Sequence, residues 1–119
     1  MPKRILKITK RAPRKGSRAA PSLPYESWLI AQLKDPAEAA AYLEAVLEDG
    51  DQAAIMLALR QVAQAQGGLA RIARIANLTR EATYKMLSKS GNPELRSLSA
   101  VLKATGLRIS VKPIEKRAA

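Results

Sequence analysis

The sequence predicts an all-α domain that follows a flexible basic arm and ends in one short β-strand. Apolar residues make up 47% of the 119 residues, but Phe is absent and only 3% of the residues are aromatic. A core must therefore consist of Leu, Ile, Val and Ala, and small aliphatic side chains at this density favour packed helices. Helix start and stop signals also recur along the chain, and its charges fall into separate blocks.

The predicted arm covers residues 1–23. Eight basic residues and no acidic residue occur before position 21. Such a segment, which also carries prolines, glycine and serines, cannot bury enough surface to offset the entropy that ordering would cost. We therefore expect a flexible arm at 1–23, a folded domain at 24–113 and a tail at 114–119.

The rest of the chain divides into an acidic block and a basic block. Seven acidic residues and one lysine lie between Glu26 and Asp51, whereas 12 basic and three acidic residues follow from Arg60 onward. The formal net charge of the whole chain is +11. Because electric fields concentrate opposite charge, this pattern predicts one polyanionic partner and one basic partner. Solvated helix faces without any partner are the alternative.

The composition argues against an enzyme. The chain has no Cys and no His, which removes disulfides, thiolate or imidazole metal sites and the nucleophile pairs that depend on them. Four carboxylates (Glu44, Glu48, Asp49 and Asp51) are close in sequence, but they flank an exposed helix end where none would be desolvated enough for acid–base work. We expect no enzymatic activity, no metal and no cofactor.

The sequence also argues against membrane contact. Its longest apolar run covers residues 53–59, far short of the roughly 20 residues that cross a bilayer. The lack of Cys is typical of cytosolic proteins. We therefore expect a cytoplasmic protein.

Three helices are predicted before residue 69. Apolar residues recur at helix spacing over about 25–33, where we expect a short first helix. Asp35 followed by Pro36 is an N-cap with a proline at the first helical position, and Gly50 ends the second helix. The third helix runs over about 51–66. The aromatic side chains of these helices are expected to pack in the core, as aromatic residues at helix spacing usually do: Tyr25, Trp28 and Tyr42.

The segment at about 69–90 has the pattern of a helix-turn-helix. The small Ala73 lets a second helix cross closely, Asn77 tolerates the left-handed backbone of the turn, and Thr79 caps the next helix. Leu78 fills the turn. The inward-facing positions are Ile72, Ala73, Ala76, Thr83, Met86 and Leu87.

The outward-facing residues of this motif have the chemistry of DNA contacts. Arg80 and Lys85 can donate to guanine or to phosphate, and Tyr84 can donate to phosphate or pack on a thymine methyl group. Glu81 can accept from cytosine. Any two-helix corner with a solvated basic face is the alternative. The candidate DNA-binding residues are Arg71, Arg74, Thr79, Arg80, Glu81, Tyr84, Lys85, Ser88 and Lys89.

A last helix and a strand are predicted after this motif. Asn92 and Pro93 supply a cap and a first helical position, and Gly106 ends the helix. Apolar and polar residues then alternate over 107–112, which predicts a half-buried strand. Its pairing partner could be a second subunit or the apolar patch at 5–8.

The order of these motifs resembles the addiction-module antidote proteins, the helix-turn-helix antitoxins of bacterial type II toxin–antitoxin modules. The resemblance covers roughly 25–113. It implies a compact five-helix, repressor-like helix-turn-helix domain that forms a homodimer, binds the operator DNA of its own operon and neutralises a small basic toxin of the RelE/ParE type. The segments that carry it are 41–51, Ile72-Ala73, 77–81, Tyr84-Lys85, 91–93 and 102–107. By position, the DNA-facing residues are Thr79, Arg80, Glu81, Tyr84 and Lys85.

Two features differ from the family pattern. Asn77 stands where members usually have Gly, and members usually begin near Tyr25, so the arm is an addition. We expect the arm to lie along phosphates or in a minor groove beside the DNA site.

The acidic block is the predicted toxin surface, with Glu44, Glu48 and Asp49 as its candidate residues. The alternatives to an antitoxin are a helix-turn-helix regulator without a toxin and a sequence-nonspecific nucleic-acid packaging protein.

Overall fold

A computed structural model describes residues 23–115 of the protein and contains six α-helices in that range. The all-α class is as predicted, and the six helices correspond to the six that the sequence signals predict, whereas the family resemblance implied five. Almost all of the predicted arm and most of the predicted tail lie outside the described residues. The helices are α1 Leu23–Gln32, α2 Pro36–Asp49, α3 Gln52–Ala65, α4 Leu69–Ala76, α5 Arg80–Met86 and α6 Leu95–Ala104.

The start and stop signals of α2 act as predicted, and α3 lies close to its predicted range. The Asp35 carboxylate accepts a hydrogen bond from the Ala37 N–H at 3.0 Å, and Pro36 is the first residue of α2. Gly50 ends α2 with a φ of 83°, a left-handed conformation that glycine adopts without strain. Asp51 then caps α3 in the same way as Asp35 caps α2.

α3 lies at the centre of the fold. It packs against α1, α2 and α4, while α4 also packs against α5 and α6. One aliphatic core joins these helices, and burying each of its larger side chains contributes about 1.5–3 kcal/mol. None of the helices in residues 23–115 combines the length and the apolar character needed to cross a membrane. The core includes Leu29, Leu33, Leu43, Met56, Leu59, Val62, Ile72, Leu87 and Val101.

Two aromatic residues are exposed, contrary to the expectation that they pack in the core. Among residues 24–32 of α1 only Leu29 is buried, and Tyr25 and Trp28 each stay 46% exposed. Their ring centroids are 5.8 Å apart. Tyr42 is half-buried and packs against the core as expected.

The predicted start of the last helix is wrong by two residues. Glu94, not Asn92, is the N-cap of α6, with the extended backbone angles φ −70° and ψ 151°. The backbone before it is held against α3, because Gln52 Nε2 donates to the Gly91 carbonyl at 2.7 Å. Residues 91–94 lie outside the helix.

The predicted C-terminal strand at 107–112 is also wrong, since residues 23–115 contain no strand. Only Leu107 packs against the core, whereas Ile109 and Val111 are exposed. The all-helical surroundings in the described part offer no sheet edge with which this segment could pair. Instead, Lys112 Nζ lies 3.3 Å from Glu44 Oε2, which places the segment beside α2.

Candidate nucleic-acid interface

The turn between α4 and α5 lies where the sequence predicts it, at residues 77–79. Asn77 ends α4 with a φ of 62°, the left-handed conformation that its sequence position predicts. The Leu78 N–H donates to the Ala73 carbonyl at 2.9 Å, which closes the end of α4. Leu78 itself packs against the core. The turn is thus fixed by backbone hydrogen bonds and by one apolar side chain.

Thr79 and Thr83 fix the start of α5. The Thr79 hydroxyl accepts from the Ala82 N–H at 3.0 Å, and the Thr83 hydroxyl donates to the Thr79 carbonyl at 2.8 Å. Thr83 is fully buried. Because the Thr79 hydroxyl serves the cap only as an acceptor, its proton remains available for a phosphate oxygen.

Four candidate DNA-binding residues occupy the exposed face of α5: Arg80, Glu81, Tyr84 and Lys85. The Arg80 guanidinium carbon lies 5.7 Å from the centroid of the Tyr84 ring, within the range of a cation–π interaction. This contact restricts the positions that the Arg80 side chain can take. Less side-chain entropy is then lost when Arg80 binds a ligand.

Some of the other candidate residues already make hydrogen bonds within the fold, and others do not. Arg74 and Lys89 are exposed. Arg71 Nη1 donates to the Gln66 carbonyl at 3.0 Å at the end of α3, and the half-buried Ser88 donates to the Lys85 carbonyl at 2.8 Å at the end of α5. The structure therefore brings all nine candidates to one motif, but it gives Arg71 and Ser88 a structural contact as well.

Two residues of α3 support α5 and were not among the sequence candidates. Arg60 Nη1 donates to the carbonyl of Leu87 at the end of α5, and Gln52 Nε2 binds the Gly91 carbonyl in the next loop. A sequence signal for Arg60 exists, since it is the only charged residue within α3. A lone arginine in an apolar helix indicates a partner inside the fold.

The motif presents excess positive charge. Five basic residues and one acidic residue occur between positions 69 and 90, and every one of these six side chains is exposed. Within residues 23–115, no group of three carboxylates is arranged to hold a metal ion. The chemistry of this face therefore suits a polyanion such as the DNA backbone.

The candidate toxin-binding residues lie on α2. Glu44, Glu48 and Asp49 are exposed, and Glu44 pairs with Lys112 through side chains that are 60% and 70% exposed, respectively. A solvated pair of this kind contributes at most about 1 kcal/mol. Lys112 therefore competes only weakly with a basic partner for the Glu44 carboxylate.

Comparison with known proteins shows the family. A family model described as a probable addiction module antidote protein matches residues 26–113. The chain belongs to this antidote family. The match includes α2 to α6 entirely, so the resemblance inferred from the sequence motifs is confirmed. The family description names an antidote of an addiction module, which implies a toxin as its partner and a regulatory rather than an enzymatic role.

This antidote family member is also similar to an individual bacterial protein. The chain is 37% identical over 71 residues to an uncharacterized protein of Haemophilus influenzae, an alignment that covers 60% of this chain and 72% of that protein. No solved structure matches the chain.

Proposed function

We propose that the protein is a DNA-binding antitoxin of the cytoplasm that neutralises a RelE/ParE-type toxin and represses its own operon. The observation that supports the DNA-binding part is the exposed basic face of α5, which follows a short turn that begins at the left-handed Asn77. Family membership carries the antidote part. The two activities are assigned to different surfaces, because the basic residues lie on α4 and α5 and the acidic block lies on α1 and α2.

On DNA, α5 enters the major groove and α4 crosses the backbone. Arg80 and Lys85 donate to base edges, and Arg74 and Lys89 bind phosphates that fix the register. A homodimer places two copies of α5 on two half-sites about one helical turn apart, so the operator is a palindrome. Occupation of this operator excludes the transcription machinery from the promoter.

The test is a comparison of two duplexes of equal length at about physiological salt. One carries the DNA upstream of the gene, and the other carries the same bases in scrambled order. A specific repressor binds the upstream duplex about 10³-fold or more tightly. Equal affinity for both duplexes would contradict the proposal and would favour a packaging protein. If the protein binds its operator but no toxin gene lies beside its own gene, the protein is a regulator without an antidote role.

The toxin surface can be tested by charge reversal. Replacing Glu44 and Glu48 together by Lys should weaken capture of the neighbouring toxin by at least about tenfold, because two like charges would then face a basic protein. Titration of labelled toxin measures this loss. Operator affinity should stay within about twofold.

The matched control replaces Glu94 and Glu115 by Lys. This double variant changes the net charge by the same amount at two exposed positions outside the acidic block. If both double variants lose toxin affinity equally, the effect is one of net charge and the surface assignment is wrong.

A further inference from the structure

The exposed pair Tyr25 and Trp28 has no explanation in the fold or in the DNA interface. Trp28 is the only tryptophan of the chain, and only three tyrosines accompany it. Its side chain and that of Tyr25 are 46% exposed on α1, with their ring planes tilted by 31°. A chain with so few aromatic residues thus presents two of them to solvent at one place.

Such a pair has the composition of a binding hot spot. Tryptophan and tyrosine are enriched among the residues that contribute most to protein–protein affinity, since they bury a large area with little loss of side-chain entropy. Their ring faces also attract cations, and tryptophan does so most strongly.

The helices that carry and flank this pair are acidic. α1 and α2 together contain five acidic residues and no basic residue. One of the five, Glu26, lies between Tyr25 and Trp28 in the sequence and is exposed. Burial raises the pKa of Tyr42 in the middle of α2, and the nearby Tyr25 and Glu26 raise it further.

We propose that Tyr25 and Trp28 anchor the toxin on α1 by stacking on an Arg or Lys side chain of the toxin, which the carboxylates of α1 and α2 attract. This inference rests on the proposed antitoxin function. It adds an apolar and aromatic centre to a surface that otherwise consists of exposed charges. Interfaces with that anatomy, an aromatic centre inside a charged rim, are the ones in which single residues dominate the affinity.

The opposite flank of α1 fits a basic partner less well. A groove between α1 and α3 contains Ile30 and Ala31, and its lining carries one acidic side chain, Glu26, and one basic side chain, Lys34, so it has no net negative charge. The basic arm is a second source of Arg and Lys side chains for the aromatic pair. The test must therefore show whether the arm or the toxin covers Tyr25 and Trp28.

The experiment measures affinity for the purified product of the neighbouring toxin gene with the full-length chain. Trp28→Ala should weaken binding at least about tenfold. Trp28→Leu keeps most of the apolar area without the ring face and should lose nearly as much, whereas Trp28→Phe should keep most of the affinity. Leu95→Ala is the matched control, because Leu95 is an apolar side chain 71% exposed on α6.

The outcomes separate this inference from the proposed function. If the unaltered chain does not bind the toxin, the proposed function and this inference both fail. If it binds and all three Trp28 variants bind equally well, only this inference fails. The thermal midpoint and operator affinity of each variant should stay unchanged, since Trp28 lies outside the core and outside 69–90.

Fluorescence of the single tryptophan tests the competing occupant. Acrylamide should quench Trp28 equally in the free full-length chain and in a full-length variant whose eight arm bases are replaced by Gln. Toxin should protect Trp28 from quenching in both. Stronger quenching after neutralisation of the arm would show that the arm covers the aromatic pair, which would overturn the assignment to the toxin.

Discussion

Replacing Arg80 and Lys85 together by Ala is expected to reduce the preference for operator DNA sharply. Each side chain that reads a base contributes about 1–3 kcal/mol of discrimination, so the double variant should lose roughly 30-fold or more in operator affinity. Its affinity for scrambled duplex should fall much less. Both side chains are exposed, so the thermal midpoint should barely change.

The matched control for this prediction removes the same charge elsewhere. Lys34 and Lys103 are exposed bases outside residues 69–90. Their double replacement by Ala should reduce binding to operator and scrambled DNA alike, and only slightly. If the two double variants behave identically, α5 does not read bases and binding is only electrostatic. Fluorescence anisotropy on both duplexes at several salt concentrations separates these cases.

Gly91→Ala is expected to give the largest loss of stability among single changes in the loop after α5. Gly91 is buried, and an added Cβ would overlap the backbone carbonyl of Met86. A backbone group cannot move aside as a side-chain tip can, so the free energy of unfolding should fall by about 1–3 kcal/mol or more. Thermal melts should show a decrease of roughly 4–8 °C per kcal/mol.

Asn92→Ala is the control for Gly91→Ala. Asn92 is the next residue and is exposed, and α6 is capped by Glu94, so the variant should melt within about 2 °C of the unaltered protein. Gly91→Ala should also weaken operator binding, because the Gln52 contact with the Gly91 carbonyl holds the loop that follows α5. An unchanged melting temperature would mean that this loop is not held as tightly as the structure indicates.

Local signals predicted most of the fold. Asp35, Gly50, Asp51 and Asn77 determine where helices begin or end through contacts within five residues, so a single sequence was sufficient to locate them. The same applies to Thr79, whose cap bond spans three residues. The exposed face of α5 followed directly from these boundaries.

The wrong predictions depended on contacts that are distant in sequence. The loop before α6 is held by a hydrogen bond between Gln52 and Gly91, 39 residues apart, which the local start signal at Asn92 does not reveal. The alternation at 107–112 predicted a strand, but a strand needs a partner that residues 23–115 do not provide. Periodicity predicted that Trp28 packs in the core. It failed because periodicity does not show how many positions around a short helix are buried.

The central position of α3 has a consequence for the order of folding. Three other helices pack against α3, and its ends are joined to α2 and α4 by very short connections. Loops of this length close at little entropic cost, and contacts between sequence neighbours form early. The transition state of folding is therefore expected to contain α3 with α2 and α4 docked on it. α6, whose main neighbour α4 is more distant along the chain, would join after the barrier has been crossed.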